Sequence, residues 1–452
     1  MWAVEPHPNI LFPASTGLPR GQDDALYSSL AYPSSSMSSK PVVLLLGATG
    51  FTGKLVTRQL AFHRDRDAFA LVLGGRSEAR LNSLVKELGL DSSIRLQVVD
   101  VKNREQLGKV IPAATVVLNT VGPFWLYGSP VVETCLRNCV HYVDLTGETQ
   151  WIKEIIKTSH YPATKNGTII VPSCGFDSVP ADLLPFIAAR KLQEFTGHHV
   201  DIDNSISAYS IRGSMSGGTL ATLFTVPQIH PTELQAASAP FALSPMVGVA
   251  QAPSRLVYRV RMPDTKQMLS GAFFFMSPAN RPLQQRSWGL LEAEAARDET
   301  DIHFGPQFKY DEFFVTGSRL LGLFVTLTQA LVFSLFLIPP TRWLLKQILP
   351  QPGDGPSERT LKSGRMKVTN VSTAASGLAV KTVMQSKGDP GYWTTSFIVA
   401  EAALSIALHY DELPALARRG GVLTPATAFG DVLAKRLHDA GVLIESQVFK
   451  QD

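Results

Sequence analysis

Val42-Val43-Leu44-Leu45-Leu46-Gly47-Ala48-Thr49-Gly50-Phe51-Thr52-Gly53 joins five apolar residues to three glycines at every third position. An unbroken apolar run of this length describes a strand buried on both faces, as in a parallel sheet. The glycines permit a tight turn and let backbone N–H groups approach a ligand closely. From Lys54 to His63 the pattern is helical, and a helix N-terminus attracts anions. The spacing is G-x-x-G-x-x-G, not the G-x-G-x-x-G of the best-known dinucleotide fingerprint. The strand before it and the helix after it supply the context that a glycine triplet alone lacks. The expectation is a bound dinucleotide whose pyrophosphate meets Gly47, Ala48, Thr49, Gly50, Phe51, Thr52 and Gly53.

The second strand, Leu71-Val72-Leu73-Gly74-Gly75, ends in Arg76-Ser77. An NAD site usually places an acid there for the ribose 2′-OH. A guanidinium instead forks onto a 2′-phosphate, and a hydroxyl adds a hydrogen bond. Arg76 and Ser77 therefore point to NADP(H). A third strand, Leu96–Val101, carries Asp100 at its end, within reach of an adenine amino group. A fourth, from Thr115, runs into Asn119-Thr120-Val121-Gly122-Pro123. Asn119, Val121, Gly122 and Pro123 are expected beside the nicotinamide ribose. Strands alternating with helices imply a doubly wound α/β sheet with its ligand beyond the strands' carboxyl ends.

At 452 residues the chain exceeds one ordinary core, so two domains are expected. The net charge of +4, without a long basic run, gives no case for nucleic acid. Three cysteines, Cys135, Cys139 and Cys174, are too few and too irregular for a disulfide framework, which fits a reducing compartment. Cys135 and Cys139 lie four apart and read as buried thiols; no metal site is expected. Residues 1–40 are rich in Ser, Pro and Gly and lack a signal-peptide pattern, so they are expected to be disordered. Met37 is an alternative start of translation.

Further segments carry a resemblance: His141-Tyr142-Val143-Asp144-Leu145-Thr146-Gly147-Glu148 and Cys174-Gly175-Phe176-Asp177-Ser178-Val179-Pro180-Ala181-Asp182. Together with Gly47–Gly53, Gly74–Arg76 and Asn119–Phe124, they resemble the saccharopine dehydrogenase-like oxidoreductases, including the trans-acting enoyl reductases. The resemblance runs from Val42 to about Val448 and is weakest between Gln193 and Gln307. It implies an NADP-binding Rossmann domain at 41–190, after the extension at 1–40. A second α+β domain at 191–420 would close over the nicotinamide, and C-terminal helices at 421–452 would return to the first domain.

Hydride transfer needs a nicotinamide and usually a proton donor beside the acceptor atom. Tyr127, on an expected loop over the cofactor, and Tyr142, on the fifth strand, are the candidate acids. Asp144, Cys174, Asp177 and Ser178 lie at the same carboxyl side, each equally readable as a cap, a turn residue or a core group. Ser214–Thr219 is a small hydroxyl-rich turn that reads as a substrate contact or an N-cap. No Ser/His/Asp order and no metal-type His cluster is visible.

Leu320 to Ile338 holds no charge over nineteen residues, about a bilayer's width, and Pro339 and Pro340 end it. Trp343, Arg342 and Lys346 suit an interface. A segment in a membrane or lipid-droplet monolayer, a helix buried between domains or in a homodimer, and the wall of an acyl pocket compete here. A single crossing would split one folded unit, so a hairpin or in-plane segment over 320–345 is the simpler membrane reading. Gln351–Ser357 reads as the exit loop. Two functions follow: an intracellular NADPH-dependent reductase of an enoyl or imine group on an apolar, carrier-bound or polyketide-type substrate, or a lipid-associated dinucleotide-binding protein without turnover.

Overall fold

In the computed structural model Val42–Leu46 is strand β1 and Phe51–Ala61 is helix α1, with the glycines between them. The structure describes residues 40–213, 224–297, 300, 302–348 and 355–450. The expected disorder of 1–40, the turn at Ser214–Thr219 and most of the loop at Gln351–Ser357 thus fall outside the described residues. The chain alternates through β2 (Ala70–Gly75), α2 (Glu78–Leu88), β3 (Arg95–Val98), α3 (Arg104–Val110), β4 (Val116–Asn119) and α4 (Phe124–Arg137). It continues through β5 (His141–Asp144), α5 (Thr149–Asn166), β6 (Ile169–Val171) and α6 (Val179–Thr196). These strands pair in parallel in the order β3-β2-β1-β4-β5-β6, the doubly wound arrangement. Leu46 pairs with Gly74 and with Asn119, and Asn119 with Asp144. The loops after β1, β2, β4 and β5 therefore leave the sheet along one edge.

β1 shows why its run is unbroken. Val43 and Leu45 enter the core on one face, Leu44 and Leu46 the core on the other. Alternate side chains point to opposite faces, so a strand covered on both must be apolar throughout.

The second sheet contains β7 (Asn204–Arg212), β8 (Val257–Arg261), β9 (Met268–Phe273), β10 (Lys309–Thr316), β11 (Arg365–Thr373) and β12 (Leu378–Lys387). Helix α7 (Ser277–Ala295) packs between it and α6; α8 (Arg319–Leu337) lies along β8 and β9, and α9 (Pro339–Ile348) packs on α8. The last elements are α10 (Thr395–His409), β13 (Gly421–Val422), α11 (Pro425–Asp439) and β14 (Leu443–Lys450). The sheet order is β14-β12-β11-β7-β10-β9-β8, with only β7 and β10 parallel.

The expected boundary at 420/421 needs correction. Helix α10, placed in the second domain by that boundary, lies against β1, β4 and β5 and beside α1. Residues Ile398–Leu404 are all buried, because α10 lies between the sheet and α11. Nor is the C-terminal return wholly helical. β13 adds an edge to the first sheet beside β6, and β14 adds one to the second beside β12. Cys139 is likewise corrected: it sits beyond α4 at φ 54° and is exposed, while Cys135 is buried.

Candidate functional site

The glycine turn is built for close approach. Gly47 has φ 83°, and a Cβ there would stand 2.7 Å from Thr120 Oγ1 and 2.8 Å from Val121 Cγ2. A Cβ at Gly53 would stand 2.0 Å from the Gly47 carbonyl oxygen, so only glycine lets α1 sit this near the turn. Gly47 and Ala48 N–H donate to the Gly74 carbonyl, and Gly50 N–H donates to that of Gly47. Helix α1 starts at Gly50 with no side-chain cap and no acid in its first turn. Its first N–H groups and the dipole are thus free to receive a pyrophosphate. Ala48 is buried, while Thr49 and Gly50 edge the opening and Phe51 and Thr52 begin the helix.

Arg76 stands exposed just beyond β2, where the adenosine ribose of a cofactor on this turn lies. Ser77 caps α2, its Oγ accepting from Arg80 N–H at 3.3 Å; the hydroxyl keeps its proton for a further bond. Asp100 holds its own turn, with Oδ1 accepting from Lys102 N–H at 3.0 Å, which leaves Oδ2 for an adenine. Residues 119–123 follow β4. Asn119 Oδ1 accepts from Val121 N–H at 3.0 Å, Gly122 is exposed, and Pro123 caps α4.

Tyr127 is displaced from its expected place, whereas Tyr142 lies on the fifth strand as expected. Tyr127 lies within α4, not on a loop, and its ring packs on Lys102 Nζ at 4.7 Å, on the β3 side. That places it toward the adenosine half of the cleft. Tyr142 is fully buried: its hydroxyl donates to Asp144 Oδ2 at 2.8 Å and accepts from Asn119 Nδ2 at 3.2 Å. Burial and the adjacent carboxylate raise its pKa well above the usual tyrosine value. It is a positioning residue beneath the cleft.

Asp144 is the hub of that layer. Oδ1 accepts from Thr146 N–H at 2.9 Å and Ser173 N–H at 3.0 Å, tying the ends of β5 and β6 together. Burial pushes its pKa up to about 7. Glu148, quoted in the sequence motif but given no role there, accepts from the N–H groups of Phe124 at 2.8 Å and Trp125 at 2.7 Å. Its carboxylate thus satisfies the start of α4, where the helix dipole favours an anion.

The second half of the chain closes the cleft. The Phe51 ring meets Tyr392 edge-on at 5.3 Å, and Gly355 packs on the same ring. Trp125 Nε1 donates to Thr225 Oγ1 at 3.2 Å. Beyond β6, Ser178 Oγ donates to Asn280 Oδ1, and Asn280 Nδ2 donates to the Asp177 carbonyl and to Glu312. Glu312 also accepts from the Tyr310 hydroxyl at 2.8 Å, and burial raises its pKa to about 8. Half-buried Asp177 is raised to about 6, by burial and then by Asp389. The sequence carried no sign of Asn280, Tyr310 or Glu312, which reach this place only when the second sheet folds over α6.

Residues 43–171 match the family model of the saccharopine dehydrogenase NADP-binding domain. A candidate trans-acting enoyl reductase of Mycobacterium tuberculosis is 33% identical over 424 residues, covering 89% of this chain and 97% of its own. The trans-acting enoyl reductase of Mycobacterium ulcerans is 31% identical over 423 residues, covering 89% and 97%. A solved saccharopine dehydrogenase (L-Glu forming) of Saccharomyces cerevisiae overlaps 90% of this chain and 99% of its own at 13% identity, with a TM-score of 0.46. The chain therefore belongs to the saccharopine dehydrogenase-like family that includes the trans-acting enoyl reductases, and it is an NADP-dependent oxidoreductase.

Proposed function

We propose that this enzyme reduces the carbon–carbon double bond of an apolar enoyl thioester, working at a lipid surface. The observation that carries the lipid part is the way α8 is laid down. Gly322, Thr326 and Gln329 face the protein: Gly322 packs on the Gly271 carbonyl, Thr326 Oγ1 donates to the Leu256 carbonyl, and Gln329 Nε2 donates to the Phe273 carbonyl. Its large apolar residues face out, with Leu320 82%, Phe324 66% and Leu331 63% exposed. Trp343 and Leu344 of α9 continue this surface, flanked by Arg342 and Lys346. A helix with this inverted pattern suits an apolar solvent on its outer side. α8 is mostly exposed, which disfavours its burial between the two domains of the same chain; the apolar helix at Pro390–Glu412, by contrast, is mostly buried. Because β10 before it and β11 after it belong to one sheet, an in-plane segment accounts for it better than a single crossing.

The relatives named as trans-acting enoyl reductases support the enoyl substrate. Bound NADPH supplies the hydride. Gly47–Gly53 hold the pyrophosphate, Arg76 the 2′-phosphate, and the Asp144 layer keeps the loops after β4, β5 and β6 in register. Asp177, whose carboxyl burial raises to about 6, is the acid proposed to give its proton to the α-carbon of the substrate, regaining it from solvent.

The test uses NADPH carrying deuterium at C4 and a series of enoyl thioesters of rising chain length, with a cyclic imine for comparison. Deuterium at the β-carbon, with turnover rising with chain length, is expected. In Asp177→Asn, kcat should fall about 100-fold with NADPH affinity intact. NADPH bound but never oxidised by any enoyl thioester would overturn the reading.

A further inference from the structure

We propose that His199, Asp201 and His303 form a binding site for a divalent transition-metal ion of the zinc type, remote from the cofactor cleft. His199 and Asp201 lie in the segment between α6 and β7, and His303 in the segment between α7 and β10. One ligand atom from each lies within 4.8 Å of the others. The two imidazoles stack with centroids 3.6 Å apart and planes 11° apart, and His199 Nε2 is 2.7 Å from Asp201 Oδ1. Nitrogen and oxygen ligands around a tetrahedral ion stand roughly 3.3 Å apart. The side chains are partly exposed, and ligation requires the two rings to turn out of their stack so that their in-plane lone pairs converge on one ion.

The surroundings hold these groups for such a role. His303 Nδ1 is 3.2 Å from Glu292 Oε1. A carboxylate on one imidazole nitrogen sets the tautomer and presents the other nitrogen's lone pair, as in metal sites with a carboxylate behind the histidine. Glu292 is itself fixed, accepting from Phe304 N–H at 3.1 Å and Gly305 N–H at 2.7 Å. Gly305, at φ 91°, lies so near Asp201 that a Cβ would stand 2.5 Å from its carboxylate. Ile202 N–H donates to the Phe304 carbonyl at 2.8 Å, locking the two segments together. His198 takes no part; its ring binds the Thr196 carbonyl.

Two imidazoles and a carboxylate suit zinc better than magnesium or calcium, which prefer oxygen alone. Three protein ligands leave a position for water. The eighteen residues of α6 span about 27 Å between its start at the cofactor edge and this end. The ion would thus staple the α6–β7 and α7–β10 connections and take no part in hydride transfer.

The full chain, stripped with EDTA, is titrated with Zn2+ by calorimetry and with Co2+ by visible absorption. One equivalent of Zn2+ should bind, with a rise in Tm and a tetrahedral Co2+ spectrum. Glu292→Gln should weaken binding about 10–100-fold. The double variant His199→Ala/His303→Ala should lose both the binding and the Tm response while still binding NADPH. The exposed His438→Ala, elsewhere on the surface, should behave as wild type. Absence of saturable Zn2+ binding, or binding unchanged in the double variant, would overturn the proposal.

Discussion

At the residue scale the glycines and Arg76 divide the work of cofactor recognition. Gly47 and Gly53 make room, since a methyl at either would strike Thr120, Val121 or the Gly47 carbonyl. Arg76 is expected to make the choice between cofactors, because its exposed guanidinium lies just beyond β2, where NADP(H) would carry its 2′-phosphate. Arg76→Ala should weaken NADPH binding roughly 10–100-fold, the worth of a charge-assisted hydrogen bond, and leave NADH unchanged. Isothermal titration with both cofactors checks this; equal losses for the two would remove Arg76 from that role. These residues could be named from the sequence because the task expected of them follows from local backbone geometry and one charge. Tyr142 lies on the strand expected of it and is a core residue with a satisfied hydroxyl; alternation along a strand says which residues share a face, and not how far the hydroxyl lies beneath the cleft.

At the scale of elements, α8 carries the clearest division between what composition says and what packing decides. Nineteen uncharged residues announce an apolar helix. Only the contacts of Gly322, Thr326 and Gln329 show which face of it meets the protein. Phe324→Asp and Leu331→Asp should each lower partition into lipid vesicles roughly 10–100-fold, since burying such a side chain is worth about 1.5–3 kcal/mol. Tm should hold or rise, because neither residue packs on the protein. Co-flotation with vesicles of mixed zwitterionic and anionic lipid is the measurement. Equal flotation of wild type and variants would show that this face serves something other than lipid. Helix α10 teaches the converse. It passes the same apolar test, yet it is buried against β1, β4 and β5.

At the scale of the whole molecule, two seven-stranded sheets share α6 and the C-terminal elements, and the buried acids sit where they meet. Glu312 is raised from an ordinary value of 4.5 to about 8. The folded chain therefore keeps a proton that the unfolded chain releases. That contribution to stability is full below about pH 4.5 and is lost as pH rises through 8. Glu312→Gln removes the titration, so the variant's stability relative to wild type should climb between those limits. Urea unfolding of both proteins at pH 5 and pH 8 tests this, and a constant difference would show that Glu312 ionises normally. His141, lowered to about 4 by burial, acts in the opposite sense, gaining stability as pH rises from about 4 to 6.5. Comparing variant with wild type at each pH cancels that background.

The amino-acid sequence by itself determined the parallel sheet, the glycine turn and the choice of NADP(H). Each is written in contiguous residues whose physics is local: an apolar run, a turn only glycine can make, one arginine at a strand's end. The tertiary structure alone decided which acids lie in the cleft, which way α8 faces and where the last strands go. Asn280 joins the Asp177 backbone carbonyl to Glu312, β14 joins β12, and His199 stacks on His303. These pairings join residues far apart along the chain. Their energies come from burial and charge in surroundings that exist only once both sheets have closed on α6.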